Sequence, residues 1–224
     1  MTRRCNPSEQ FERDGRVWLR NALLGEDLAA FDQAWDLGAR PGARLATTGP
    51  LSKALAFDGP LSAIVAEFLP SARAVRVVTF NKTSESNWGV PWHQDRVISV
   101  REKHALPGYG SWSRKVGLWH CEPPLELLDR MLFVRLHLDD TDDENGAMQI
   151  VLGSHREGVI PADRAAEFAR SRPTEICQAK RGDVLILKML TLHRSLSSIS
   201  SSMRRTYRID YSSEALPDPL AWFA

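Results

Sequence analysis

The run Val184 to Leu190 is apolar except for Lys188 and is opened by the turn Gly182-Asp183. It is too short for an ordinary helix and does not alternate, so it reads as a strand buried on both faces, which requires a covering layer on either side. The other segments after Pro70 agree with a sheet. Arg73 to Lys82 sets Val75, Val77 and Thr79 on one face and Arg76, Val78 and Phe80 on the other. Trp88 to Val100 reads as a second strand region, Thr174 to Gln178 as an edge strand and Met203 to Tyr211 as the last strand. Met131 to Leu138 and Ala147 to Leu152, joined by the polar stretch Asp139 to Gly146 ending in Asn145-Gly146, read as a hairpin.

Residues 1–70 read differently. Apolar spacing predicts helices from Ser8 to Gly15, Glu26 to Trp35, Ser52 to Phe57 and Leu61 to Leu69, with a short strand at Val17-Trp18-Leu19 and a loop from Gly38 to Pro50. Helices followed by seven or eight short strands predict a mainly β fold, an antiparallel sandwich or jelly roll with a helical shoulder. The expected organisation is one domain over 1–224: a helical part, 1–70, and a jelly-roll core, 71–212, interrupted by an insertion, 101–130. A loop of that length is usually functional or disordered, and the aromatic residues in it, Trp112 and Trp119 among them, favour an ordered lid.

Composition narrows the partners. Lys and Arg number 29 against 28 Asp and Glu, a formal charge of +1, and 43% of the chain is hydrophobic. That is too apolar and too neutral for a disordered chain, and it offers no basic excess for nucleic acid. No run of about 18 apolar residues suggests a membrane span. Cys5, Cys121 and Cys177 are scattered and odd in number, with no disulfide framework or Cys-x-x-Cys site. The expectation is a soluble, cytoplasmic protein acting on a small molecule, its oligomeric state left open.

The chemistry starts at Trp92-His93-Gln94-Asp95. On an extended strand residues i and i+2 share a face, so His93 and Asp95 can meet one small object. His193 follows the buried run. Two histidines and one carboxylate on adjacent strands make the facial triad of non-haem Fe(II) oxygenases, which leaves coordination positions open. Arg204 lies 11 residues after His193, and a guanidinium is a planar, permanently charged partner for the distal carboxylate of a dicarboxylate cosubstrate.

With these residues the chain resembles the phytanoyl-CoA dioxygenase family of Fe(II)- and 2-oxoglutarate-dependent oxygenases. The likeness runs from Phe11-Glu12-Arg13-Asp14-Gly15 through Trp92-His93-Gln94-Asp95, Leu138-Asp139-Asp140, Glu144-Asn145-Gly146-Ala147, Gly153-Ser154-His155-Arg156 and Gly182-Asp183 to His193, Arg204 and Tyr211. It implies a double-stranded β-helix, with His93, Asp95 and His193 as catalytic iron ligands and Arg204 as the partner of 2-oxoglutarate. It also implies O2 as oxidant, with succinate and CO2 released as a small organic substrate is hydroxylated. Family members that halogenate have a small residue where Asp95 stands, so its presence points to hydroxylation. The resemblance is weakest after His193, where Arg194-Ser195-Leu196-Ser197-Ser198 replaces a common Gly-Ser-Gly-Pro-Asn. There a one-residue difference in the loop would turn Arg205 inward in place of Arg204.

Asn81 and Lys82, ahead of the first motif, are cosubstrate candidates by position alone. Arg135 and His137 share a strand face and, if it is inward, suit a substrate bearing a carboxylate. Trp112 and His120 in the insertion are further substrate candidates. The acidic run Asp139 to Glu144 lacks the spacing of a calcium loop and reads as a solvated turn. The competing class is a metal-binding jelly roll without oxygenase activity, a cupin-like isomerase or a sensor.

Overall fold

The computed structural model describes residues 7–36, 38 and 40–223; Cys5 lies outside them. The helical part contains α1 (Pro7–Asp14), β1 (Arg16–Leu19), α2 (Gly25–Gln33), β2 (Arg44–Leu45), α3 (Pro50–Ala54) and α4 (Pro60–Ala66). Next come β3 (Arg73–Lys82), β4 (Val90–His93), β5 (Ile98–Val100), β6 (Gly110–Lys115), β7 (Leu118–Glu122) and α5 (Leu125–Asp129). The chain finishes with β8 (Met131–His137), β9 (Met148–Val151), α6 (Ala165–Arg170), β10 (Thr174–Ile176), β11 (Val184–Lys188), β12 (His193–Ser195) and β13 (Arg204–Ser212).

The strands form a six-stranded antiparallel sheet ordered β1-β11-β8-β13-β3-β2, a four-stranded sheet ordered β10-β9-β12-β4, and a three-stranded sheet ordered β5-β7-β6. This is the expected mainly β, double-stranded β-helix arrangement. The two-residue period assigns each side chain of the large sheet to a layer. Val134, Leu136, Val184, Ile186, Tyr207 and Ile209 pack with Phe31, Leu51 and Leu61 of the helices. Phe133, Leu185 and Leu187 point the other way and pack with Met148 and Ile150 of the four-stranded sheet. The run Val184 to Lys188 is thus covered on both sides, as its lack of alternation requires. Tyr207, inside the helical layer, satisfies its hydroxyl by donating to the Phe31 carbonyl at 2.9 Å.

Four expectations need correction. The segments 131–138 and 147–152 do not form a hairpin: β8 lies in the large sheet, and β9 crosses to pair with β10 and β12. The connecting acidic run is too structured for a tight turn, because the Asn145 side chain donates to the Asp140 carbonyl and accepts from the Asp142 amide, while Asp139 pairs with Arg205. Trp88 to Val100 is not one strand: it breaks at Gln94, whose side chain donates to the Gly158 and Leu190 carbonyls and accepts from the Ile160 amide. The insertion 101–130 is not a loop but a strand pair, β6 and β7, continued by β5 and capped by α5. The loop 38–50 contains β2, which pairs with β3.

Candidate metal centre

Strand β12 runs antiparallel to β4 and sets His193 opposite His93. Each ring is oriented the same way. His93 Nδ1 lies 2.8 Å from the Pro91 carbonyl and His193 Nδ1 lies 2.8 Å from the Thr191 carbonyl, each two residues back along the chain. A carbonyl only accepts, so both rings donate from Nδ1 and leave Nε2 as the nitrogen free to meet a ligand, the arrangement typical of metal-binding imidazoles. The ring centroids are 4.3 Å apart. Asp95, just beyond β4, completes the group: its Oδ2 is 3.1 Å from His193 Nε2. One ligand atom from each of the three residues lies within 4.8 Å of the others. Three electron-pair donors converging in this way fit a divalent cation.

Two of the cations around this group, Arg204 and Arg208, come from one face of β13. Arg204, Thr206, Arg208 and Asp210 point away from the helical layer by the same alternation that sends Tyr207 and Ile209 into it. Arg208 is buried. Its Nη1 donates to Asp95 Oδ2, its Nε donates to Asp210 Oδ1 at 2.7 Å, and its guanidinium stacks on Phe133. Burial alone would raise the Asp95 carboxyl, but Arg208 and the His193 contact hold it well below the usual range. His93 is pushed down, mainly by burial and then by His193.

Arg204 is also buried. It donates from Nη1 to the Gly146 carbonyl at 2.5 Å, and its Nε is enclosed without a partner. Lys82 faces it across the β13–β3 pair, with Nζ donating to Ser195 Oγ at 2.8 Å and to the Leu196 carbonyl. Burial, then Arg204 and Arg135, push the Lys82 ammonium down to about 7. Arg135 Nη2 donates to Thr206 Oγ1 at 3.0 Å, and its Nε too has no partner. Gly146, at φ +75°, allows this crowding; a Cβ there would come within 2.6 Å of the Leu196 carbonyl and 2.8 Å of Lys82 Nζ.

His93, Asp95, His193, Arg204, Lys82, Arg135 and His120 all line one cavity of about 410 Å³. Four other predicted features lie elsewhere or differ. Asn81 is on the opposite face of β3, its amide donating to the Gly38 carbonyl. His137 shares the Arg135 face but is buried outside the cavity lining, with Nδ1 on the Asp183 carbonyl and its ring against Trp18. Burial, then Arg135, push it down to about 3. Trp112 packs on Trp119 and does not line the cavity. Arg205 turns outward to Asp139 and Asp32. Sequence reasoning missed Arg208, Arg76 and Arg44; Arg208 was legible as the same-face neighbour of Arg204 four residues on.

A jelly roll holding two histidines and a carboxylate beside buried arginines defines a non-haem metal enzyme of the 2-oxoglutarate-dependent oxygenase class. The phytanoyl-CoA dioxygenase (PhyH) family profile matches residues 11–206, and the chain belongs to that family. Iron and 2-oxoglutarate are accordingly its cofactors, with O2 the consistent oxidant. No curated protein sequence matches the chain. Among solved structures, EctD from S. alaskensis with bound Fe is similar at a TM-score of 0.68 and 19% identity, over 95% of this chain and 78% of that one. The epimerase SnoN, in complex with Fe3+, alpha ketoglutarate and nogalamycin RO, is similar at 0.64 and 15%, over 95% and 90%. HygX from Streptomyces hygroscopicus, with nickel, 2-oxoglutarate and hygromycin B bound, is similar at 0.60 and 18%, over 95% and 87%. Among the described residues no helix is long and apolar enough to cross a membrane.

Proposed function

We propose that this protein hydroxylates a small organic substrate, with His93, Asp95 and His193 holding Fe(II) and with Arg204, assisted by Lys82, holding the distal carboxylate of 2-oxoglutarate. The observation that carries the reading is the coincidence, in one cavity, of two Nδ1-anchored histidines facing a carboxylate and a buried arginine with an unsatisfied Nε. Iron with 2-oxoglutarate supplies the oxidising chemistry, O2 being consumed as the cosubstrate becomes succinate and CO2.

The residues have separable tasks. The Pro91 and Thr191 carbonyls fix both imidazoles so that Nε2 is aimed inward. Arg208 keeps Asp95 ionised and oriented. Arg204 is already desolvated by the protein, so a carboxylate that meets it gains a charge-assisted pair without first stripping water from the guanidinium. The Asp95 carboxylate supports hydroxylation over halogenation, because it occupies the position a halide would need. The cavity volume, about 410 Å³, is at the low end of the ~300–1,000 Å³ of ordinary ligand pockets and must admit 2-oxoglutarate as well. That supports a small substrate in preference to an enclosed coenzyme A thioester.

Anaerobic addition of Fe(II) and 2-oxoglutarate is expected to give the weak visible charge-transfer absorption of the chelate, and a metabolite screen is expected to find substrates that stimulate succinate release. Iron binding without that absorption would overturn the reading in favour of a metal-binding jelly roll. Labelled O2 separates hydroxylation, which leaves one labelled oxygen in the product, from an epimerisation of the kind SnoN's name describes, which leaves none.

A further inference from the structure

We propose that Arg44, Arg76 and His120 form a second anion subsite, which takes a carboxylate or phosphate group of the substrate and accepts a hydrogen bond from a hydroxyl or amine next to it. This rests on the function proposed above, in which Arg204 and Lys82 are committed to the cosubstrate.

Among the described residues the cavity is lined by eight lysines and arginines and, of carboxylates, by Asp95 alone. One dicarboxylate and one metal-binding triad do not account for so much positive charge. Five of these cations fall into two groups. Arg135 lowers Arg204, and both lower Lys82, so these three form the first. Arg76 lowers Arg44, and both lower His120, so the two arginines form the second. Arg76 and Lys82 share the inner face of β3 six residues apart, which at 3.3 Å per residue separates their backbones by about 20 Å. Arg44 reaches the same face because β2 sets it opposite Val78. His120 arrives from β7, so the strand pair inserted after the motif contributes directly to the cavity.

Each of the three side chains keeps an unsatisfied nitrogen. Arg44 Nε, Arg76 Nε and His120 Nε2 are all enclosed with no hydrogen-bond partner, and His120 is 1% exposed. Among the described residues Arg44 has no ion pair. Arg76 has only a weak one: Nη1 lies 3.3 Å from the Val97 carbonyl and 3.3 Å from Asp210 Oδ2, and Arg208 already engages that carboxylate. Buried polar groups are normally paired, so orphans from three different strands aimed into one cavity mark a ligand position. The imidazole refines the chemistry. Its Nδ1 lies 3.1 Å from the Leu118 carbonyl and must donate, and burial with Arg76 and Arg44 pushes the ring down to about 4. Neutral His120 therefore offers an acceptor at Nε2. Two guanidinium donors beside one neutral acceptor match an anionic group next to a hydroxyl or amine, as in a hydroxy acid or a polyol phosphate.

The test uses anaerobic protein loaded with Fe(II) and saturating 2-oxoglutarate, titrated calorimetrically with lactate, lactamide, glycerol 3-phosphate and glycerol. At least one anion is expected to bind, its neutral counterpart about tenfold or more weaker, and the preference for lactate or glycerol 3-phosphate tells carboxylate from phosphate. Arg44→Gln and Arg76→Gln should each weaken that anion about tenfold or more and leave the cosubstrate absorption band intact. Among the described residues Arg44 makes no side-chain hydrogen bond or ion pair, so Arg44→Gln remains informative if Arg76→Gln is unstable. Equal binding of anion and neutral counterpart, unchanged anion affinity in Arg44→Gln, or no anion binding to protein that forms the band, would each overturn the subsite. If wild type forms no band, the proposed function has failed. The same titrations on metal-free protein then decide the subsite separately, Arg44-dependent anion binding supporting it and its lack overturning it.

Discussion

Replacing Arg208 by glutamine tests whether one buried guanidinium holds the candidate metal centre in shape. In the native chain it bridges Asp95 and Asp210, the latter 1% exposed, and stacks on Phe133. Its removal leaves two enclosed carboxylates, one of which retains only the 3.3 Å contact to Arg76. Breaking a buried pair from one side costs roughly 3–5 kcal/mol, and at about 2–4 °C per kcal/mol for a chain of this size metal-free Arg208→Gln should melt roughly 6–20 °C below wild type. A glutamine amide can still donate one hydrogen bond, so the lower half of that range is expected. Thermal denaturation followed by circular dichroism in chelator-treated buffer gives the first number. Mn(II) gives the second: without the guanidinium that keeps Asp95 ionised and oriented, a divalent ion should raise the melting temperature of the variant less than that of wild type, since ligand stabilisation follows affinity. A variant melting within about 2 °C of wild type, or equal metal increments in both, would refute the reasoning. Arg205→Gln is the control, because its partners Asp139 and Asp32 are partly solvated and such pairs contribute about 0–1 kcal/mol.

Arg204→Gln should raise the half-saturating 2-oxoglutarate concentration about 10- to 150-fold, the equivalent of a charge-assisted bond of roughly 1.5–3 kcal/mol, whereas Arg205→Gln should leave it unchanged; succinate release measures both. Lys82, pushed down to about 7, is mostly neutral above that pH in the free protein, and a bound dicarboxylate pulls its proton affinity up. Cosubstrate affinity should therefore be flat below pH 7 and fall by up to about tenfold per unit above it, a slope that calorimetry should find missing in Lys82→Gln. By the same linkage the metal-free fold itself should gain stability as pH rises from about 7 toward the ordinary lysine range, since the unfolded chain binds the extra proton there. Gly146→Ala places a methyl 2.6 Å from the Leu196 carbonyl at a positive φ and should lower both the melting temperature and the affinity for 2-oxoglutarate; an unchanged affinity would separate the Gly146 turn from Arg204. Asp95→Ala should abolish succinate-coupled turnover, and retained hydroxylation would remove Asp95 from the ligand set.

What was legible in the sequence was whatever a two-residue period or a fixed spacing encodes. The alternation along 203–211 distinguishes the inward Arg204 from the outward Arg205 once Tyr207 and Ile209 are assigned to the helical core, and the burial of Val184 to Leu190 on both faces follows from its composition. The pairing partner of a strand is not encoded in this way. Asn145-Gly146 looks like a hairpin turn, but Asp139 is held by Arg205 and Asn145 by the backbone, so β9 is directed into the other sheet. The strand carrying His93 ends at Gln94, whose three side-chain hydrogen bonds reach residues 64 to 96 positions away; a local window does not contain them. Arg44 and Arg76 escaped notice for the same reason, since each is unremarkable on its own strand and they meet His120 only when three strands converge.

The place of β1 and β2 in the large sheet bears on how the chain can be divided. A cut at residue 70 would look harmless, because it falls between helices and strands. Yet β1 and β2 form opposite margins of that sheet, so such a fragment would lose both guards at once. The newly bared margin beside β11 would be the apolar row Val184 to Leu187, a flat template for pairing with another molecule. The N-terminal part therefore covers both margins of the large sheet, and fragments that begin after residue 70 should aggregate even though they retain every candidate metal ligand.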